Sequence, residues 1–148
     1  MNRSPSRPDA VAYISGGHDA PHLFGEVRFY QNPTNVLITA DISNLPKNSE
    51  TGFFAFHIHE GESCGGDDFA NTGSHYNPNM TPHPNHAGDL PPLLFCNGGA
   101  YLSVKTDRFR VADIIGRTVV IHSDADDFVS QPAGNAGKKI ACGVIRRM

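Results

Sequence analysis

The stretch "GFFAFHIHEGESC", residues 52–64, places His57 and His59 one residue apart at the end of an aromatic run, with Cys64 shortly after. Successive side chains of a strand point to opposite faces. If the run is a strand, His57 and His59 face one way, and Phe54, Phe56 and Ile58 the other. Two imidazoles one strand repeat apart can chelate a single metal ion. Equally, they could be two surface histidines on a half-buried strand. The other histidines bear on that choice. The chain has eight in 148 residues, and His57, His59, His75, His83, His86 and His122 gather in or beside two stretches that break the rhythm of the rest.

The first of these stretches, residues 60–98, is far longer than most connections in compact domains. It carries Cys64, His75, His83, His86 and Asp89, a composition suited to metal binding rather than disorder. The second, residues 124–137, follows directly on His122. Imidazole suits zinc and copper, and a carboxylate among histidines is a common zinc set. In "HPNHAGD" the residues His83, His86 and Asp89 recur at steps of three, so one tight loop could fold them around an ion. His75 would complete a closed tetrahedral set of three histidines and one aspartate, the pattern of a structural zinc site. His57, His59 and His122 remain for a second site on rigid strands, suited to an ion that changes oxidation state without losing its cage. Bound metal would staple loops that lack a hydrophobic core of their own.

The elements that must position these residues are strands. Alternating or β-branched runs recur at 10–15, 23–31, 35–43, 52–59, 100–105, 117–123 and 138–147, separated by Gly, Pro and Asn. No window carries an apolar stripe at helical period over three turns. Short strands with turn signals between them predict one all-β domain over residues 1–148, an antiparallel sandwich or barrel. The length suits a single core. A net charge of −3 and a sequence pI near 6.2 give no reason to expect nucleic acid or an anionic membrane as partner. No stretch approaches the ~20 apolar residues of a membrane-spanning helix. The N-terminal "MNRSPSRPDAVAYISGG" has no apolar core of a signal peptide. The expectation is therefore a periplasmic or extracellular protein if a leader was removed, and otherwise a cytoplasmic one. Cys64, Cys96 and Cys142 allow one disulfide and one free thiol, and composition does not choose the pair.

The motifs "FHIHE", "GSHYNP", "HAGDLP", "VVIHSDADDF" and "GNAGKKIACGVI" resemble, in order, those of the copper/zinc superoxide dismutases, from about residue 22 to 146. The resemblance implies an antiparallel Greek-key β-sandwich or barrel with two long functional loops. It implies copper ligands His57, His59, His75 and His122, and zinc ligands His75, His83, His86 and Asp89. His75 would then bridge both metals, and Asp126 would link a ligand of each. It also implies a Cys64–Cys142 disulfide pinning the long loop to the last strand. The implied activity is disproportionation of superoxide to dioxygen and hydrogen peroxide, with His75 delivering a proton to the departing peroxide.

Several features depart from the family pattern. The linker "HEGESC" is short and resembles bacterial members. The His83–His86 segment and the 127–137 loop are also brief. Where the family pattern G-N-A-G-x-R has arginine, this chain has Lys139, which would attract and orient the anion with a compact charge on a flexible stem. The expected catalytic residues are thus His75 and Lys139, the cofactors copper and zinc, and the small-molecule partner superoxide, in a monomer or homodimer. The alternative is a non-enzymatic relative binding copper and zinc with weak or no activity because of Lys139. A zinc hydrolase would need further ligands just downstream and alternating helices, and "HIHEGESC" offers neither. Of the remaining candidates, His18 and His22 read as surface histidines, Asp67 and Asp68 as a solvated loop face, and Cys96 as a buried apolar thiol.

Overall fold

A computed structural model describes residues 7–47 and 50–148; the first six residues, part of the segment on which the leader expectation rests, lie outside them. Eight strands form one antiparallel sheet: β1 (Ala10–Gly16), β2 (Phe24–Gln31), β3 (Val36–Ser43), β4 (Phe53–His59), β5 (Asp89–Leu94), β6 (Ala100–Thr106), β7 (Thr118–His122) and β8 (Lys139–Arg147). Their order is β5-β4-β7-β8-β1-β2-β3-β6, and the two end strands lie against each other, so the sheet is a nearly closed barrel. The β3-to-β4 and β6-to-β7 connections each cross to a non-adjacent strand, the Greek-key arrangement. Seven strands coincide, within a residue or two, with the runs expected from alternation. Among the described residues the only α-helix is the four-residue α1 (Val111–Ile114).

Alternation explains the closure. Val27 and Phe29 of β2, Val36, Ile38, Ala40 and Ile42 of β3, and Phe54, Phe56 and Ile58 of β4 all point inward. Phe29, Phe54 and Phe56 are the largest fully buried side chains of that core. A strand lining a barrel usually wets its outer face, but β4 is buried on both faces from Phe54 onward. Its outer face carries His57 and His59, and the long loops lie over it.

The structure corrects two expectations. The 60–98 stretch is not one connection, because β5 lies within it and Asp89 is the first residue of that strand. Pro91 and Pro92 mask it in the sequence, since proline cannot donate to a ladder and is confined to sheet edges and bulges. A register shift against β4 between Phe54 and Phe56 lets Leu90 and Leu93 both point inward although they are three residues apart. Cys96 is exposed rather than buried. Leu93 is buried and Phe95 packs against the core, so Leu94 and Cys96 take the opposite, outward phase as the chain enters the turn closed by Cys96 and Gly99.

Candidate metal centre

The strands and loops bring the six grouped histidines together. β4 supplies His57 and His59, β7 supplies His122, and an isolated bridge pairs His75 with His59. His57 is also the sheet partner of Asp89, which places the start of β5 beside it. The ring centroids of His57 and His75 are 3.9 Å apart, and those of His75 and His86 5.2 Å. Two donor sets result. His57, His59, His75 and His122 each offer a ligand atom, all mutually within 4.8 Å, and so do His75, His83, His86 and Asp89. His75 belongs to both sets.

The hydrogen bonds decide which ring nitrogen faces inward. His59 Nδ1 lies 2.9 Å from the Gly73 carbonyl, which can only accept, so Nδ1 carries the proton and the Nε2 lone pair faces His122 Nε2 at 3.2 Å. Asp126 receives His57 Nε2 on one oxygen and His83 Nε2 on the other, both at 2.8 Å. Burial would raise the Asp126 pKa, but hydrogen bonds from His57, His83 and the Phe128 N–H hold it well below the usual carboxylate range. Asp126 is therefore an acceptor, and it leaves the Nδ1 lone pairs of His57 and His83 free.

These atoms provide a test of whether a metal fits. His57 Nδ1, His75 Nε2, His83 Nδ1 and His122 Nδ1 are buried and make no hydrogen bond among the described residues, although the Asp89 carboxylate lies near His83 Nδ1. Buried polar atoms are rarely left unpaired. His75 Nδ1 meets His86 Nδ1 at 3.2 Å and Asp89 Oδ1 at 2.8 Å, and His83 Nδ1 lies 3.0 Å from Asp89 Oδ2. Imidazole nitrogens that converge and leave buried atoms unpaired are what a divalent ion would satisfy, and a carboxylate held against three imidazoles matches a zinc set. The residues fit two ions.

Burial lowers the pKa of His59 to about 3, and it also lowers those of His57, His86 and His122. Neighbouring imidazoles add to the effect at each of the four. These four histidines are thus neutral, the state in which imidazole binds metal.

The loops are fixed by contacts that period and spacing did not reveal. Gln131 pairs with the His83 backbone in both directions, its Oε1 accepting from the N–H at 2.9 Å and its Nε2 donating to the carbonyl at 2.8 Å. Arg108 donates to the Pro84 and His86 carbonyls. Gly134 has φ +72°, and a Cβ there would stand 2.0 Å from Asp126 Oδ1 and 2.6 Å from His83 Nε2. Only glycine lets the second loop approach the Asp126 bridge so closely. The Cys64–Cys142 disulfide, with a Cα separation of 5.8 Å, ties the first loop to β8.

A cleft of about 510 Å³ opens onto this cluster, lined among others by His59, Glu60, His75, His122 and Lys139. Lys139 Nζ donates to Thr72 Oγ1 at 2.8 Å and to the Gly73 carbonyl at 3.0 Å. The stem expected to be flexible is held at its tip by two acceptors. His18 and His22 are exposed; His18 Nε2 lies 2.7 Å from Asp68, so the expected solvated acidic face carries a hydrogen bond to another loop.

The family model described as "Copper/zinc superoxide dismutase (SODC)" matches residues 23–145. The chain belongs to the copper/zinc superoxide dismutase family. The "Superoxide dismutase [Cu-Zn]" of Legionella pneumophila is 38% identical, the match covering 93% of this chain and 87% of the relative. "Superoxide dismutase [Cu-Zn] 1" of Aquifex aeolicus is 37% identical over 82% of this chain and 79% of its own length. "Superoxide dismutase [Cu-Zn] 3" of Arabidopsis thaliana is 36% identical over 92% and 88%. Membership in the dismutase family accords with the two donor sets sharing one histidine, and copper and zinc are the ions they suit.

Proposed function

We propose that the protein disproportionates superoxide, converting two superoxide anions and two protons into dioxygen and hydrogen peroxide. The observation that carries this reading is the pair of buried donor sets sharing His75 beside a cleft that Lys139 lines. In this assignment His57, His59, His75 and His122 would hold copper, and His75, His83, His86 and Asp89 would hold zinc. Copper, when bound, supplies one-electron exchange between two oxidation states, while zinc supplies a fixed Lewis acid.

The chain's own residues do the rest. Asp126 orients one ligand of each set through its two oxygens, which keeps both rings in the metal-binding tautomer. His75, buried and shared by the two sets, would be the residue that supplies a proton to the peroxide product. Lys139 supplies local positive charge on a chain whose net charge is −3, and so draws an anion to the cleft against the overall field. The non-enzymatic alternative rested on Lys139 as a poor substitute for arginine; an ammonium fixed at the cleft removes its main support.

A dismutation assay on protein loaded with copper and zinc tests the reading. Superoxide loss well above that of the metal-free protein is expected, and it should fall sharply in His122→Ala. Loaded protein no faster than the metal-free form would leave a metal-binding relative without dismutase activity.

A further inference from the structure

An ammonium on a four-carbon stem presents no rigid fork, so a lysine beside a reaction centre needs outside help to keep one orientation. The structure provides that help from the end of the first loop's 3₁₀ segment. Thr72 is fully buried at the end of the short 3₁₀ segment Asp67–Thr72. Its hydroxyl donates to the Phe69 carbonyl at 2.9 Å, an atom that can only accept. With its proton committed there, the hydroxyl turns a lone pair toward Lys139 Nζ at 2.8 Å. The Gly73 carbonyl is shared, accepting from Lys139 Nζ at 3.0 Å and from His59 Nδ1 at 2.9 Å.

The backbone around these acceptors is itself fixed. The Gly61 N–H donates to the Thr72 carbonyl at 2.8 Å, and the Gly73 N–H to that of Ala70 at 3.2 Å. Two of the three ammonium N–H groups are thereby used.

We propose that Thr72 is a positioning residue for Lys139: with the Gly73 carbonyl, its hydroxyl pins the ammonium at the mouth of the histidine cleft, so that a lysine keeps there the single orientation an arginine fork would otherwise supply. Thr72 touches neither the ligand atoms nor the substrate and acts only through Lys139. The proposal rests on the dismutase reading, because orientation of an ammonium matters only if an anion reacts beside it.

The test compares Thr72→Val, which keeps shape and removes the acceptor, with Thr72→Ser, which keeps the hydroxyl. Dismutation is measured at matched copper occupancy and fixed ionic strength, in native and Lys139→Gln backgrounds. Loss of this hydrogen bond should lower the rate roughly two- to fivefold in Thr72→Val, no more than loss of the Lys139 charge itself. The Ser variant should retain the native rate, and Val should add nothing once Lys139 is Gln.

A second readout needs no activity. In the ¹H–¹⁵N NMR spectrum of lysine ammonium groups, Lys139 should give a signal protected from water exchange, lost in Thr72→Val and kept in Thr72→Ser, with Lys47, Lys105 and Lys138 as references. If Val does not fold, Thr72→Ala against Thr72→Ser carries the same comparison. Equal loss of rate in both backgrounds, or a Val variant that keeps both rate and signal, overturns the proposal. An inactive native protein that shows the Thr72-dependent signal would instead overturn the dismutase reading while leaving the pinning in place.

Discussion

At the scale of single residues, charge around one small cleft is the adjustable quantity. Lys139 and Glu60 both line it, with opposite sign. Substituting Lys139 by Gln should lower the dismutation rate about fivefold, or ~1 kcal/mol in barrier, and weaken its dependence on ionic strength. Glu60→Gln removes the opposing charge, so its rate at low salt should rise, and the gain should vanish as salt screens the rim. Stopped-flow rates across a salt series at equal copper content check both, and a salt dependence unchanged by either substitution would take the rim charges out of the reaction. The buried histidines give a pH prediction of definite sign. His59 stays neutral in the folded chain down to about pH 3. In the unfolded chain it takes up a proton near pH 6.5. Stability of the metal-free protein is therefore whole above that value and is lost progressively as pH falls toward 3. Each histidine that behaves this way contributes a slope of about 1.4 kcal/mol per pH unit. Denaturant midpoints of metal-free protein between pH 7 and pH 4 measure it, and a flat profile would contradict the neutral, buried cluster.

At the scale of elements, the loops are held by a covalent tie and by close approach. The disulfide closes a loop with a sequence separation of 78. Reducing it, or changing Cys64 to Ser, should cost about 4 kcal/mol on the chain-entropy account. Thermal melts of the oxidised protein against Cys64→Ser test this, and coincident melts would mean that the tie adds nothing. Gly134→Ala places a methyl group against the Asp126 bridge, so it should free His57 and His83 from their shared orienter and weaken binding of both metals while β1–β8 persist. Most of this architecture was legible in the sequence because its signals are periodic or local. Alternation marks seven strands, and the steps of three in "HPNHAGD" mark one donor set. β5 escaped because its prolines and the bulge opposite it erase alternation. Cys96 was misplaced because an apolar setting in sequence does not reveal which phase of a strand a residue takes. Thr72 and Gln131 carry no signal at all, since their partners lie 67 and 48 residues away and meet them only in the folded chain.

At the scale of the whole molecule, the barrel and the metal centre depend on each other. The core cluster lies on the inner face of the sheet, and the loops over the outer face of β4 contribute few apolar residues to it. What holds those loops is the histidine cluster, its Asp126 bridge and the disulfide. Ions binding only the folded state should therefore stabilise the molecule by mass action, by about 4 kcal/mol when free metal exceeds its dissociation constant a thousandfold. Because His75 serves both sets, the two ions should not be independent. Protein reconstituted with both metals should carry one copper and one zinc per chain by elemental analysis, with a large rise in melting temperature. His75→Ala should lower the occupancy of both ions and abolish most of that rise, whereas His122→Ala should reduce copper and leave zinc in place. His86→Ala should do the reverse. The selective pair identifies the sets, and the shared residue identifies the bridge. If full reconstitution gives a single ion per chain, or if His75→Ala loses one ion and keeps the other at full occupancy, the two donor sets do not act as joined sites and His75 is a ligand of only one of them.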